Sequence, residues 1–185
     1  MILEALVTTR GADGRPHLAP MGPSVSGIDF TEFELRPFPS SQTYQNLLIH
    51  PIGVLHVTDD ALLIARAAIG AWTTHDANEI NDELVLRHCH RYYQFRVTNV
   101  NAAEPRIRMT CEVMGYGQGT RPWFGFNRGR HAVLEAAILA TRVHLLPKEQ
   151  IEAEFQLLQR IVDKTGGPDE QEAMALMTDH VRGQR

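Results

Sequence analysis

The apolar residues of this chain change their repeat once, and that change limits what the chain can fold into. Up to about residue 125, bulky and polar residues alternate in short runs punctuated by glycine and proline, which is strand periodicity. From Asn127 onward the repeat becomes helical. Strands first and helices afterwards imply a β-rich part followed by a separate helical part. The expected organisation is a β-rich domain over residues 1–125 and a C-terminal helical subdomain over residues 126–185. A chain of 185 residues can bury one sizeable core with a small appendage.

The strand region opens on Leu3–Thr9, followed by Gly11-Ala12-Asp13-Gly14. These residues tolerate positive φ and close tight turns, so His17–Gly22 is expected back against the first strand as a hairpin. Gly22-Pro23 breaks it. Asp29–Arg36 alternates, with Phe33 and Leu35 on one side and Glu32, Glu34 and Arg36 on the other. Pro37 and Pro39 end that strand, and Ser40 or Ser41 is placed to cap a short helix running to Leu48. Gly53–Thr58 is a strand rich in β-branched residues. Asp59–Ile69 reads as a helix behind the Asp59-Asp60 pair. Tyr92–Val100 and Arg106–Tyr116 are two further strands, connected through Asn101–Pro105.

The run RGRHAVLEAAILATRVHLL is apolar almost all round, as in a helix buried between layers. Arg128, His131, Glu135 and Arg142 lie along one line of it. Charges inside an apolar helix cost solvation energy unless paired. His131 and Glu135 are spaced to pair with each other, whereas Arg142 needs a carboxylate from another subunit or a ligand. Pro147 interrupts the run. Lys148–Lys164 follows as an amphipathic helix with Ile151, Phe155, Leu158 and Val162 on one stripe. Thr165-Gly166-Gly167-Pro168 separates it from a third helix, Asp169–Val181, expected to pair with the second as an antiparallel hairpin.

Composition narrows the partners. Eighteen basic residues against 22 acidic ones give a net charge of -4. A non-specific nucleic-acid binder carries a basic excess or stripe, so no nucleic acid is expected. Cys89 and Cys111 lack the spacing of a metal knuckle or redox pair and fit a reducing compartment. No apolar stretch reaches the ~18 residues of a membrane span, and no basic region precedes the first apolar run. The chain is therefore expected to be cytoplasmic, with no membrane partner.

Two stretches carry the strongest chemical signals. In LRPFPSSQTYQNL, a strand delivers Arg36 and a helix start supplies Ser40, Ser41, Gln42, Thr43 and Asn46. A guanidinium, hydroxyls and first-turn amides together can surround a phosphate; an ordinary strand–loop–helix junction uses the same residues as caps. Ala19-Pro20-Met21-Gly22 combines a proline-shaped bend with a glycine that permits close backbone approach, suiting the edge of a planar ligand, or simply ending a strand. His88 and His90 flank Cys89, with Glu83 upstream, but no third spaced ligand makes a metal site. His17, His50, His56 and His144 read as packed or surface residues. There is no nucleophile elbow, Cys111 sits in an apolar strand as an inert thiol, and Asp59-Asp60 looks like a turn or helix cap. No catalytic residue can be named.

The ordered set EALVTTRGADGRPHLAPMG, LRPFPSSQTYQNL, FNRGRHAVLEAAILATR and KTGGPDEQEA resembles the DUF447 family of archaeal and bacterial proteins over nearly the whole chain. Such proteins are similar to the FMN-binding split barrels of the flavin reductase class. The resemblance implies a six-stranded antiparallel split barrel plus a C-terminal helical subdomain, a homodimer, and FMN at the dimer interface. It implies the phosphate against Arg36 and Ser40 to Asn46, and the isoalloxazine near Ala19 to Gly22. Related barrels often place a basic residue in the phosphate loop. Gln42 stands there in this chain, which shifts weight to Arg36 or to a basic residue from the other chain such as Arg128. The implied function is flavin-dependent redox chemistry with an unknown substrate. The alternatives are a non-enzymatic flavin carrier, and a cofactor-free structural or pterin-binding protein linked to one-carbon metabolism.

Overall fold

The computed structural model describes residues 2–26, 31–80, 83–102, 107–123 and 127–184. They form two compact units, Met1–Thr58 with Thr73–Pro122, and Asp59–Trp72 with Trp123–Arg185. The segment Asp59–Trp72 lies inside the expected first domain in sequence, yet it packs with the C-terminal helices.

The first unit is built on β1 (Ala5–Arg10), β2 (Pro16–Met21), β3 (Ser24–Val25), β4 (Glu32–Leu35), β5 (Ile52–Val57), a short pair β6 (Ala77–Ile80) and β7 (Glu83–Leu86), and the long strands β8 (Arg91–Asn101) and β9 (Arg108–Gln118). One helix, α1 (Gln42–Ile49), interrupts them. The main sheet runs β2-β1-β5-β8-β9-β4-β3, and every neighbouring pair is antiparallel.

Register shows how this sheet curls into a barrel. Ala5 faces Met21, and the same register carried three residues further on each strand brings Ile2 opposite Ser24. The Leu3 amide donates to the Pro23 carbonyl between them (3.1 Å). β2 and β3 are thus one strand bent at Gly22-Pro23. Before the bend it pairs with β1; after it, β3 pairs with β4 on its other edge. Counted this way the barrel has six strands, as the resemblance implies. Among the described residues β2 pairs only with β1, and β9 beyond Val113 pairs only with β8. These two edges border the split.

The turn expected at residues 11–14 is present, with Gly14 at φ 74° and its amide donating to the Gly11 carbonyl (2.9 Å). A side chain at Gly14 would be strained there. The alternation of Phe33 and Leu35 against Glu32 and Glu34 also holds, while Asp29 and Phe30 lie outside the described residues, as do residues 103–105 of the Asn101–Pro105 connection and Arg106 of the strand expected after it. Inside the barrel Val7, Phe33, Leu35, Leu55, Phe95, Met109 and Cys111 are buried. Phe33 meets Phe95 edge-on, with ring centroids 5.2 Å apart. Phe95 lies over Gly53, where any Cβ would fall 2.8 Å from its ring. Leu47 of α1 joins this core.

The β6–β7 hairpin has no counterpart in the sequence reading. The opposite faces of β1 and β5 carry Leu6, Thr8, Val54 and His56, all buried. The Thr8 hydroxyl donates to the Leu84 carbonyl (2.7 Å), and the Leu86 amide donates to His56 Nε2 (3.1 Å).

The second unit contains α2 (Ala61–Ala68), α3 (Arg128–Ala140), α4 (Lys148–Thr165) and α5 (Pro168–Gly183). α3 is its hub, packed against the other three through Ala132, Val133, Ala136, Ala137 and Ala140. α4 buries Ile151, Phe155, Leu158 and Val162, the stripe its sequence shows. α4 and α5 follow one another across Gly166-Gly167 and touch, and both also pack on α3. Two expectations are corrected. α3 ends at Ala140, and residues 141–145 form turns rather than continued helix. Arg128, His131, Glu135 and Arg142 are exposed, so their line is the solvent side of a one-faced helix and does not run through its buried surface.

A largely buried ion-pair cluster in this unit centres on Arg130. Its Nη1 donates to Asp59 (2.5 Å) and its Nε to Glu170 (3.1 Å), all three side chains being at most 15% exposed. Glu170 also accepts the Gly167 amide (2.8 Å) at the start of α5. Asp59 therefore serves as an ion-pair partner, while its neighbour Asp60 caps α2 by accepting the Leu63 amide (3.0 Å).

Candidate functional site

The start of α1 assembles the residues singled out as a phosphate cradle. Ser41 is the cap: its hydroxyl accepts the Tyr44 amide (3.3 Å) and donates to the Phe38 carbonyl (2.8 Å). This leaves the amides of Gln42 and Thr43 as first-turn donors with no carbonyl four residues back in the helix. Ser40 is exposed at the preceding turn. Gln42 Nε2 donates to Asn46 Oδ1 (2.7 Å), and the buried Asn46 Nδ2 donates to Thr9 Oγ1 (3.0 Å). Thr43 is buried. Asn46 therefore ties α1 to β1, and Thr43 is buried beside it on the helix, while Ser40 and Gln42 are exposed and Ser41 is half-buried. Arg36 leaves β4 and is held by Glu34, Nε donating to Oε1 at 2.5 Å, with both side chains partly exposed.

The Ala19–Gly22 stretch differs from its expected form. Ala19, Pro20 and Met21 are straight strand within β2, and the bend comes at Gly22-Pro23. Pro20 is tolerated because β2 is an edge and needs no second set of amide donors. The space at Gly22 is taken by the chain's own N-terminus, since a Cβ there would meet the Ile2 side chain at 3.1 Å. β2 thus has an open edge at the split and no glycine-lined gap.

Arg128 is the first residue of α3, exposed, behind the Asn127 cap that accepts the Arg130 amide (3.0 Å). It belongs to the second unit, whereas Arg36 and α1 belong to the first.

The histidines and cysteines have structural surroundings. Cys89 and Cys111 are buried free thiols. Burial pushes them up to about 11 and about 12, so neither is a thiolate near neutral pH. His90 Nδ1 lies 2.9 Å from the Arg121 carbonyl. Among the described residues no cluster of three or more His, Cys, Asp or Glu side chains is placed to hold a metal ion. His17 is lowered by burial.

Sequence reasoning missed an aromatic group at the other end of the barrel from α1. Tyr93 and Tyr116 are cross-strand partners on β8 and β9, with ring centroids 6.4 Å apart and planes tilted by 38°. Arg91 places its guanidinium carbon 5.9 Å from the Tyr93 ring centroid. Tyr116 is 81% exposed. The only sequence signal was the pairing of Tyr92-Tyr93 with Gly115-Tyr116-Gly117, visible once the register is known.

These features define a class: an antiparallel split barrel with an anion-suited helix start on one end, joined in sequence to a helical unit. Two family models match, the N-terminal domain of a protein of unknown function (DUF447) over residues 3–119 and the DUF447 protein of unknown function over residues 127–179. The chain belongs to the DUF447 family. An FMN-bound DUF447 protein from Methanosarcina mazei has the same fold, with a TM-score of 0.86 at 24% identity over 97% of this chain and 94% of that one. An FMN-binding protein from Thermus thermophilus matches with a TM-score of 0.52 at 13% identity, over 63% of this chain and 70% of its own. The styrene monooxygenase flavin reductase of Pseudomonas putida matches with a TM-score of 0.52 at 11% identity, over 63% of this chain and 81% of its own. The family is thus related in fold to FMN-binding, flavin reductase-like proteins. Among the described residues no helix is long and apolar enough to cross a membrane.

Proposed function

We propose that this chain is an FMN-binding flavoprotein, active as a homodimer in flavin-dependent oxidation and reduction of a small molecule. The observation that carries the reading is the likeness, barrel and helices together, to the FMN-bound protein of Methanosarcina mazei.

The residues present fit the cofactor. The amides of Gln42 and Thr43, the hydroxyls of Ser40 and Ser41, and Arg36 form a donor set for a phosphate dianion. Asn46 and Gln42 tie that helix start to Thr9, so they hold the cradle in place as well as border it. Met21 faces Ala5, four residues along β1 from Thr9. At ~3.3 Å per residue this is about 13 Å, comparable to the reach of a flavin mononucleotide from phosphate to ring. The open edge of Ala19, Pro20, Met21 and Gly22 then lies alongside the ring system, and its backbone groups orient the polar edge. The cofactor when bound supplies the electron-transfer chemistry; the chain supplies binding and orientation. Arg128 from a partner chain is the second cation proposed at the phosphate. Two buried free thiols support a reducing, cytoplasmic setting.

The test is an absorbance spectrum after incubation with FMN and desalting. Retained flavin bands support the reading, and a folded dimer that repeatedly retains none refutes it. Arg36→Ala is expected to weaken FMN binding more than tenfold, since a charge-assisted contact contributes about 1.5–3 kcal/mol; unchanged affinity moves the phosphate elsewhere. Turnover of bound flavin with reductants and acceptors separates an oxidoreductase from a carrier.

A further inference from the structure

The barrel end away from α1 carries a second ligand surface. Ala19 faces Val7, Val7 faces Leu55, Leu55 faces Tyr93 and Tyr93 faces Tyr116, so these five residues form one row across the sheet. Val7, Leu55 and Tyr93 belong to the buried interior, which sets the row on the inner face. One step nearer the mouth, Val57 faces Arg91 and Arg91 faces Gln118. Two residues from Tyr93 along β8, Arg91 shares that inner face. An arginine and an exposed tyrosine thus stand together at the rim of an otherwise apolar interior, on the β9 lip of the split.

The local backbone is shaped for this display. The β8–β9 register shifts between Gln94 and Phe95, and the shift turns Tyr116 onto the face of Tyr93. On the opposite face Tyr92 lies across Gly117, where a Cβ would fall 2.4 Å from its ring. Any side chain at Gly117 would displace Tyr92 from the strand that carries Tyr116. Burial also raises the Tyr93 hydroxyl above its ordinary value, with Arg91 opposing that shift, so the ring beneath the guanidinium is a neutral phenol.

We propose that this mouth is a binding site for a planar aromatic anion, its ring stacked on Tyr116 and its acid group paired with Arg91. An exposed aromatic ring offers a stacking face, and an arginine held over a second ring is oriented for a carboxylate or sulfonate. The site goes beyond the cofactor reading, because its ligand binds whether or not FMN is present. If FMN lies along β2 as proposed, this second ring approaches the split from the β9 side.

The probe is naphthalene-2-sulfonate, titrated calorimetrically and by saturation-transfer NMR into the full chain with and without FMN. Cyclohexanesulfonate has the charge without the ring, and 2-naphthalenemethanol has the ring without the charge. Naphthalene-2-sulfonate is expected to bind at least fivefold tighter than either. Tyr116→Ala and Arg91→Gln should each weaken it about five- to tenfold, whereas Tyr116→Phe, which keeps the ring, should not. Circular dichroism checks that each variant folds. Equal binding of all three probes, or full affinity in Tyr116→Ala, overturns the proposal. So does competitive displacement of the probe by FMN, which would make Tyr116 part of the flavin site. Conversion of a dimer to a monomer in Tyr116→Phe and Tyr116→Ala alike, with probe affinity unchanged, would assign the ring to an interface between copies. Failure of FMN to bind while the sulfonate binds as described would sink only the cofactor reading.

Discussion

His56 sets a measurable pH dependence on the stability of the barrel. Its ring is fully buried between β1 and β7, with Nδ1 3.3 Å from the Leu6 carbonyl and Nε2 accepting the Leu86 amide at 3.1 Å. That pattern requires the neutral ring with its proton on Nδ1. A second proton on Nε2 would point at the Leu86 N–H and lose its water besides. Burial is the main cause and lowers the group from 6.5 to about 3; the bond to Leu6 opposes this only in part. A histidine lowered on folding is protonated first in the unfolded chain. Its contribution is therefore complete above pH 6.5 and is lost as pH falls from there toward about 3. Within that window one extra proton bound by the unfolded chain gives a slope of about 1.4 kcal/mol per pH unit, and an upper limit of roughly 5 kcal/mol. The assay is urea unfolding between pH 7 and pH 4, followed by far-ultraviolet circular dichroism and by exchange of the Leu86 amide. His56→Gln is the reference, because it can donate and accept without titrating. His17 and the carboxylates titrate in both proteins and cancel in the difference. Wild type should lose stability faster than His56→Gln by about 1 kcal/mol or more per pH unit below pH 6. Parallel profiles would refute the reasoning, since they would mean that the ring takes up its proton as readily in the folded chain as in the unfolded one.

Three other expectations follow from the same structure. Arg130→Met should destabilise the helical unit by about 3–5 kcal/mol in thermal unfolding, because it strands the buried carboxylates of Asp59 and Glu170 together; a triple variant that also neutralises both as Asn and Gln should recover part of that loss. Gly129→Ala should cost about 1–3 kcal/mol in the same assay, because its Cβ would fall 2.7 Å from the Gly166 backbone. Glu34→Gln should tighten FMN binding severalfold by releasing Arg36 and removing a negative charge beside the proposed phosphate, and a weaker complex would show that Glu34 positions Arg36 productively.

Legibility in the sequence followed the range of each interaction. The β1–β2 hairpin, the Ser41 cap and the buried stripe of α4 are local: a turn, a hydroxyl three residues ahead of an amide, and a helical repeat. These are the elements the residues announced. The β6–β7 hairpin was missed because its burial comes from β1 and β5, distant in sequence, through contacts such as Thr8 to Leu84. Arg130 was passed over for the same reason. Its partners Asp59 and Glu170 come from either side of α3 in the chain, whereas Arg128, His131, Glu135 and Arg142 drew attention by their spacing alone. The helix start at Ser40–Asn46 was legible as chemistry, since a cap and a nearby arginine can be read from order. Tyr116 was not, because its meaning depends on the register shift opposite Gln94.

The bend at Gly22-Pro23 is the step that connects fold to chemistry. Through the bend the strand keeps its register with the segment before β1, Ile2 lying opposite Ser24, and it turns its other edge to β4. Proline at position 23 donates no amide, and its φ is constrained. After the bend β3 pairs with β4, which carries the sheet round to β9, but only as far as Val113. Closure at one level of the barrel therefore leaves β2 and the end of β9 unjoined at the other. The backbone groups of Ala19–Met21 and the ring of Tyr116 border that same opening, one from each side. A substitution that lets the strand run straight, such as Pro23→Val, should thus weaken both FMN retention and naphthalene-2-sulfonate binding while leaving the β1–β2 hairpin intact. Loss of one without the other would mean that the two lips are set independently of the bend.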